Sequence, residues 1–267
     1  NVQESLQRYA PLGEYVTIAT PVASSLQPEE SQNMNLGFII RPDERSQITF
    51  DYFSIAFTNG FGTEAATCPC AEIVYVTPGD PNSGIARIET ELINGDDVDI
   101  SGLDFEGTVG FDAGNTVMQF SYGGTYLTQY DVAGAISGGT YDALGKFNTR
   151  SADSPINLRS VPELQLYLGL GIEIDIHSIN MYVRHVGEYD VPDTITAAYQ
   201  FIDKIDSMNT LDFNYSVRLA DDRVRINLSA YNLLGEDPPL APSELGYDAY
   251  SHSPVGTIIK AGLQYRF

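Results

Sequence analysis

The stretch Gly256–Phe267 reads G-T-I-I-K-A-G-L-Q-Y-R-F. Taken alternately, Thr257, Ile259, Ala261, Leu263, Tyr265 and Phe267 fall on one side, and Ile258, Lys260, Gly262, Gln264 and Arg266 on the other. A period of two is that of a β-strand, whose successive side chains point to opposite faces. One face is uncharged and mostly apolar and runs out on Tyr265 and Phe267, while the other carries both cations. Such a strand separates two environments.

The same pattern recurs upstream. Leu211, Phe213, Tyr215, Val217 and Leu219 oppose Asp212, Asn214, Ser216 and Arg218, and after the short turn Ala220-Asp221-Asp222 the residues Val224, Ile226, Leu228 and Ala230 return opposite Arg225, Asn227 and Ser229. A second hairpin sets Leu164, Leu166, Leu168, Leu170 and Ile172 against Glu163, Gln165, Tyr167, Gly169 and Glu173, turns near Asp175, and returns through Ile179, Met181 and Val183. A third joins Ser101–Phe111 to Met118–Tyr126 across Asp112-Ala113-Gly114-Asn115, and a fourth joins Met34–Ile40 to Gln47–Phe57 across Pro42–Ser46. Short turns rich in Gly, Asn and Asp between period-two runs predict antiparallel hairpins.

Between the hairpins lie long segments, about 58–98, 131–159, 187–208 and 233–255, rich in Gly, Pro, Asp and Ser. Residues 1–31 are polar and punctuated by Pro11, Gly13, Pro21 and Pro28, so they are expected to form a loop, with at most a strand at Tyr15–Ala19. Hence about nine antiparallel strands are predicted. Their connections alternate between tight turns and segments of roughly twenty to forty residues, far above the usual loop length.

The chain has 267 residues with 14 Lys plus Arg against 36 Asp plus Glu, a net charge of −22. No basic stripe is present, which argues against nucleic acid as a partner. No apolar run approaches the roughly 18 to 20 residues of a membrane helix, so any membrane crossing must use strands. Alternating strands suit a soluble sandwich as well as a barrel. A sandwich, however, has no reason to put every long loop at one end. Outer-membrane barrels do, with short periplasmic turns and long extracellular loops. With Phe267 at the periplasmic end, all four short turns fall there. Lipid contact explains the uncharged faces too, since Lys or Arg at the bilayer midplane costs about 2–4 kcal/mol. Tyr and Phe without any Trp would furnish the aromatic girdles. The expected class is therefore all-β, an antiparallel transmembrane β-barrel.

Several blocks resemble the TonB-dependent outer-membrane receptors, specifically the C-terminal part of their barrel. They are Leu26-Gln27-Pro28-Glu29-Glu30-Ser31 with Asn33 and Leu36-Gly37-Phe38, then Ile48–Phe53 and Ser101–Phe105. The most specific lie near the end: Tyr231-Asn232-Leu233-Leu234-Gly235-Glu236-Asp237-Pro238-Pro239, Gly246–His252 and Gly262–Phe267. The resemblance implies an energised importer of a scarce nutrient (siderophore, cobalamin or oligosaccharide) in the outer membrane of a Gram-negative bacterium. It also implies outer-membrane lipid, a plug domain, a TonB-type energy transducer and the barrel assembly machinery as partners, Tyr265 and Phe267 being the assembly signal. Such receptors have about 22 strands around a plug. The chain, residues 1–267, is thus expected to be the C-terminal portion of a longer receptor, with 1–31 an extracellular loop and 32–267 strands and loops. A passive porin or structural barrel, and a soluble secreted glycan-binding β-sandwich, are the alternatives.

No enzyme signature is present: His177, His185 and His252 sit in no metal-ligand or nucleophile spacing, and no cofactor motif is found. The residues expected to face the lumen, contacting plug or substrate, are Asp51, Asp104, Glu106, Gln119, Glu163, Gln165, Arg184, Asp212, Asn214, Arg218, Arg225, Lys260, Gln264 and Arg266. Cys68 and Cys70, spaced C-P-C, are too few for a four-ligand zinc site and suit a loop disulfide or two thiols. The acidic segment with Glu64, Glu72, Asp80, Glu89, Glu91, Asp96, Asp97 and Asp99 suits solvated loops or calcium, though it matches no calcium-loop spacing.

Overall fold

The computed structural model describes residues 2–9, 14–21, 26–63, 71–134, 138–147, 159–192 and 202–267. Nine strands form one antiparallel meander. They are β1 (Glu30–Asp43), β2 (Ser46–Thr58), β3 (Asp96–Ala113), β4 (Thr116–Gly134), β5 (Leu164–Ile174), β6 (His177–Val186), β7 (Met208–Leu219), β8 (Val224–Tyr231) and β9 (Ile258–Tyr265). Each pairs with the next, and a short strand Gly139–Asp142 folds back on the end of β4. The sheet is open, with β1 and β9 as its edges. There is no second sheet packed face to face on it among the described residues, which removes the sandwich.

Three of the four hairpin turns are tight because their residues tolerate left-handed backbone. Gly114 (φ +65), Asp175 (φ +50) and the run Ala220, Asp221 and Asp222 (φ +54, +52 and +67) supply it. In the first turn the Asp43 carboxylate accepts the Arg45 N–H at 2.8 Å.

Within the belt from Thr116 to Leu127 on β4 and its neighbours, register carries the period-two pattern across the sheet. One row runs Phe38, Phe50, Phe105, Gly124, Leu166. Another runs Met118, Ile172, Ile179, Tyr215, Leu228, Ala261. All lie on one apolar face, whose members stay exposed to the surroundings: Leu36 is 73% and Leu263 75% accessible. In water this sheet would leave a continuous apolar surface far larger than soluble proteins show. In lipid it needs no cover.

Aromatic rings on neighbouring strands lie across glycines of both faces. A Cβ at Gly123 would stand 2.6 Å from the Tyr167 ring, at Gly169 2.7 Å from Tyr182, and at Gly107 2.6 Å from Tyr122. Ring-on-glycine contacts of this kind pin register in a sheet that has no packed core behind it.

β3 and β4 reach further than the sequence pattern suggests, and a bulge between Leu127 and Gln129 explains how. The extra residue reverses the phase of β4. Beyond it Asp99, Asp131 and Asp142 share the outward face, while Val98, Val132 and Tyr141 turn inward, Val132 being 1% exposed. Outward polarity thus switches from apolar to acidic at the Ser101/Thr128 level, where the two hydroxyls bond at 3.0 Å. This marks the end of the apolar belt.

The buried clusters lie beyond that level. The segment expected to be a plain loop, 1–31, instead holds strands Val2–Tyr9 and Glu14–Pro21, and the expected strand Tyr15–Ala19 lies within the second. The segment expected to be irregular, 58–98, contributes Glu72–Tyr75 and Ile85–Glu89, which complete a four-stranded sheet with that hairpin, and a separate pair Phe61–Thr63 with Leu92–Asn94. Val16, Ile18 and Ile88 are its core. The parallel pairing of Glu14–Pro21 with Ile85–Glu89, about seventy residues apart, joins these hairpins, and the Thr20 and Thr90 hydroxyls bond at 3.0 Å beside it. A second cluster, Phe147, Tyr189, Val191, Ile205 and Ala241, joins three later loops. Each fully buried side chain of this size contributes roughly 1.5–3 kcal/mol.

Candidate functional site

The polar face is the concave one. Two hollows open on it, of about 800 Å3 near the turn end and about 560 Å3 higher up, lined chiefly by polar-face residues. The expected wall residues share this face. Asp51, Asp104, Thr125 and Gln165 form one row; Glu106, Gly123, Tyr167, Arg184 and Thr210 another; Gln119, Gly171, Asn180, Asn214, Ser229 and Lys260 a third. Arg218 lies opposite Arg225, which lies opposite Gln264, and the Arg266 N–H extends the ladder to the Arg223 carbonyl at 2.8 Å. Glu163 departs from the pattern: it precedes β5, its carbonyl accepts the Leu127 N–H at 2.8 Å, and its carboxylate lies beside Gly145 in the neighbouring loop.

The upper hollow is acidic. Asp51 and Asp104 stand directly opposite each other, a like-charge pair that destabilises an isolated sheet. Thr125 donates to Asp104 at 2.5 Å. Arg184 is the cation of this hollow, and it pairs with Asp212.

That pair does more than neutralise charge. Asp212 is 6% exposed, and while one oxygen takes the guanidinium, Oδ1 accepts the Asn232 N–H at 2.9 Å. Asn232, with φ +47, exchanges two bonds with Glu236 at 2.8 and 3.0 Å and receives Thr257 Oγ1 on its carbonyl at 2.7 Å. The root of the last long loop is therefore tied to the concave wall. Asparagine at this position combines tolerance of left-handed backbone with a side chain that closes a turn. Toward the far edge Lys260 lies over the Tyr231 ring at 4.9 Å. At the turn end Arg45 pairs with Asp112, and Arg218 donates to the Asp175 carbonyl at 3.2 Å.

Two histidines sit on the apolar face, at its margins. His177 Nδ1 is 2.7 Å from the Tyr215 hydroxyl, and His185 Nδ1 is 2.8 Å from Asn209 Oδ1. The third, His252, belongs to a cluster that sequence reasoning misses. Tyr189 donates to Asp248 Oδ2 at 2.7 Å, and His252 Nε2 lies 3.1 Å from the same hydroxyl with the rings stacked. Burial, the hydrogen bond to Asp248 and its charge push the Tyr189 hydroxyl well above the usual tyrosine range, against a smaller opposing bond from Ser251. Burial lowers His252, opposed by the Asp248 charge. Only the block 246–252 hinted at this cluster, since its partner Tyr189 lies 59 residues from Asp248.

Among the described residues no three His, Cys, Asp or Glu side chains are grouped as a metal site. Glu64, Cys68 and Cys70 lie outside the described residues. Along the described wall, carboxylates, amides, hydroxyls and cations alternate as hydrogen-bond acceptors and donors.

The siderophore receptor PirA from Acinetobacter baumannii superimposes with a TM-score of 0.62 at 15% identity, over 95% of this chain and 34% of its own. A mutant of the ferric enterobactin receptor PfeA from Pseudomonas aeruginosa gives 0.63 at 15%, over 94% and 33%. The FrpB iron transporter from Neisseria meningitidis gives 0.57 at 12%, over 93% and 33%. The chain therefore spans about a third of the length of these structures, and at such identities the likeness is one of fold. No curated protein matches the chain. The family model described as TonB dependent receptor-like, beta-barrel matches residues 5–233. With most of the chain inside that match, and a two-faced meander that superimposes on receptor barrels, the chain belongs to the TonB-dependent receptor β-barrel family.

Proposed function

We propose that this chain forms part of the wall and outer loops of an outer-membrane receptor of a Gram-negative bacterium, importing a scarce nutrient by TonB-dependent transport. The observation that carries the reading is the nine-strand register, which keeps an uncharged apolar face outward and a hydrogen-bonding face on the concave side. The concave residues from Asp51 to Arg266 then contact a plug domain, and those of the upper hollow, Asp51, Asp104, Glu106, Gln165 and Arg184, lie nearest an entering ligand. Neighbouring barrel strands complete the edges left by β1 and β9, because unpaired backbone groups in hydrocarbon cost several kcal/mol each. Tyr265 and Phe267, packed edge to face at 5.0 Å, present the end of β9 to the barrel assembly machinery. The ligand is an iron chelate, cobalamin or an oligosaccharide, and the acidic outer segments work against strongly anionic ones.

The test is uptake of labelled ferric chelates, cobalamin and oligosaccharides by cells with and without the gene, each in the presence and absence of the inner-membrane energy partner. Loss of one uptake activity on removing either protein supports the reading. Uptake that depends on the gene but not on the energy partner identifies a passive porin instead.

A further inference from the structure

We propose that His252, Tyr189 and Asp248 form an acid-sensitive latch that holds the outer residues 187–192 and 202–207 against the loop 232–257 and releases them as pH falls. The loops are joined by backbone bonds and apolar contact as well. Phe147 N–H donates to the Asp190 carbonyl and Asp190 N–H to the Gly145 carbonyl, both at 2.8 Å, and Arg159 lies over the Tyr250 ring at 5.5 Å. Residues 138–147 and 159–163 are thereby fastened to both others. Between residues 187–192 and the loop 232–257, the Tyr189 hydroxyl is a buried polar link.

Its proton assignment follows from the bonds. Tyr189 gives its proton to Asp248 Oδ2, so His252 must donate from Nε2 to the tyrosine oxygen. The Nδ1 atom is then a bare acceptor, buried and without a partner among the described residues, on a residue only 7% exposed. Protonation would place a second N–H there, with a positive charge and no acceptor, in a site closed to water. Among the described residues, the groups facing the imidazole are Tyr189 from one loop and Asp248 from its own, with Arg159 stacked two residues away on Tyr250. The Asp248 carboxylate favours the cation, but burial outweighs it.

The direction follows. With the loops apart, His252 is hydrated and protonates at its ordinary value near 6.5. Above that pH both arrangements hold a neutral ring and the latch is at full strength. Below it the open arrangement takes the proton first, and each pH unit multiplies the open-to-closed ratio by up to about tenfold, until the closed form protonates too. A receptor so built keeps its outer loops in one packed unit at neutral pH and loosens them in acid.

The experiment uses the intact receptor with Cys68 and Cys70 replaced by Ser and nitroxide labels at Asp206 and Leu245, both exposed, one on each of the two segments that the latch joins. Pulsed EPR distances are measured between pH 7.5 and 5.0. One narrow distance at neutral pH and a longer component growing below about 6.5 are expected. His252→Gln keeps a donor toward Tyr189 but cannot titrate, and should show no acid response. Tyr189→Phe should show the longer component already at neutral pH. An unchanged wild-type distribution across the range, or an acid response surviving in His252→Gln, overturns the latch.

Discussion

Removing the Asp212 carboxylate tests the tie between the wall and the last long loop. The residue makes two separable interactions: an ion pair with Arg184, whose side chain is 56% accessible, and the hydrogen bond to the buried Asn232 N–H. An ion pair with one solvated partner contributes only about 0.2–1 kcal/mol. Leaving a buried backbone N–H without an acceptor costs about 1–3 kcal/mol. Asp212→Asn keeps an acceptor oxygen and loses only the charge, so its cost should stay at or below about 1 kcal/mol. Asp212→Ala loses both, roughly 1–4 kcal/mol together. A receptor barrel does not unfold in two states, so the assay must be local. Hydrogen exchange of peptides spanning 232–236 and 257–260 in the folded receptor serves. At about 1.4 kcal/mol per tenfold, Asp212→Ala should speed exchange there by roughly five- to several-hundredfold, and Asp212→Asn by no more than about fivefold. Equal acceleration in the two variants, or none in the alanine variant, would refute the assignment of the loop root to the Asn232 bond.

Other expectations follow from the faces and the loops. Leu168→Lys, at mid-strand on the apolar face, should cost about 2–4 kcal/mol and reduce the heat-shifting outer-membrane form on gels, whereas Gln165→Lys on the concave face should not. Gly169→Ala should lower the midpoint of that heat shift through overpacking worth about 1–3 kcal/mol, because its Cβ would meet the Tyr182 ring at 2.7 Å and press on Ser121 Oγ, and truncating Tyr182 alongside should recover part of the loss. For Tyr189 the sign is alkaline. Its buried proton is held more tightly than in open loops, so the closed loops keep their stability up to about pH 10 and lose it as pH rises beyond. The phenolate difference spectrum between wild type and Tyr189→Phe should therefore develop above the ordinary tyrosine range, and titration at or below that range contradicts the buried bond. Acidification should act on the same loops through His252, as the spin-label measurement reads.

Strands that separate lipid from a polar interior must alternate residue by residue, so the nine-strand meander, its tight turns and the face of each wall residue are written locally. Leu164 to Ile172 and the terminal Thr257 to Phe267 could be assigned by inspection for that reason. Asp51, Arg184 and Lys260 follow from phase alone, and so does the absence of charge on the opposite face. Glu163 did not follow, because it stands just before its strand, where phase no longer dictates direction. The extension of β3 and β4 was equally hidden, since one inserted residue at Thr128 reverses which side chains turn outward.

The sequence by itself therefore determined the class of fold, the open nine-strand sheet and which residues share a face, because a two-solvent environment imposes a period that every strand must repeat. Tertiary structure alone decided the rest. It brought Asp212 to Arg184 and Asn232, built a small sheet from segments far apart in the chain, and set Tyr189 between Asp248 and His252. Those contacts obey no period, since each depends on where a long loop returns in space, and a loop held by a few buried side chains leaves no repeating pattern in its residues.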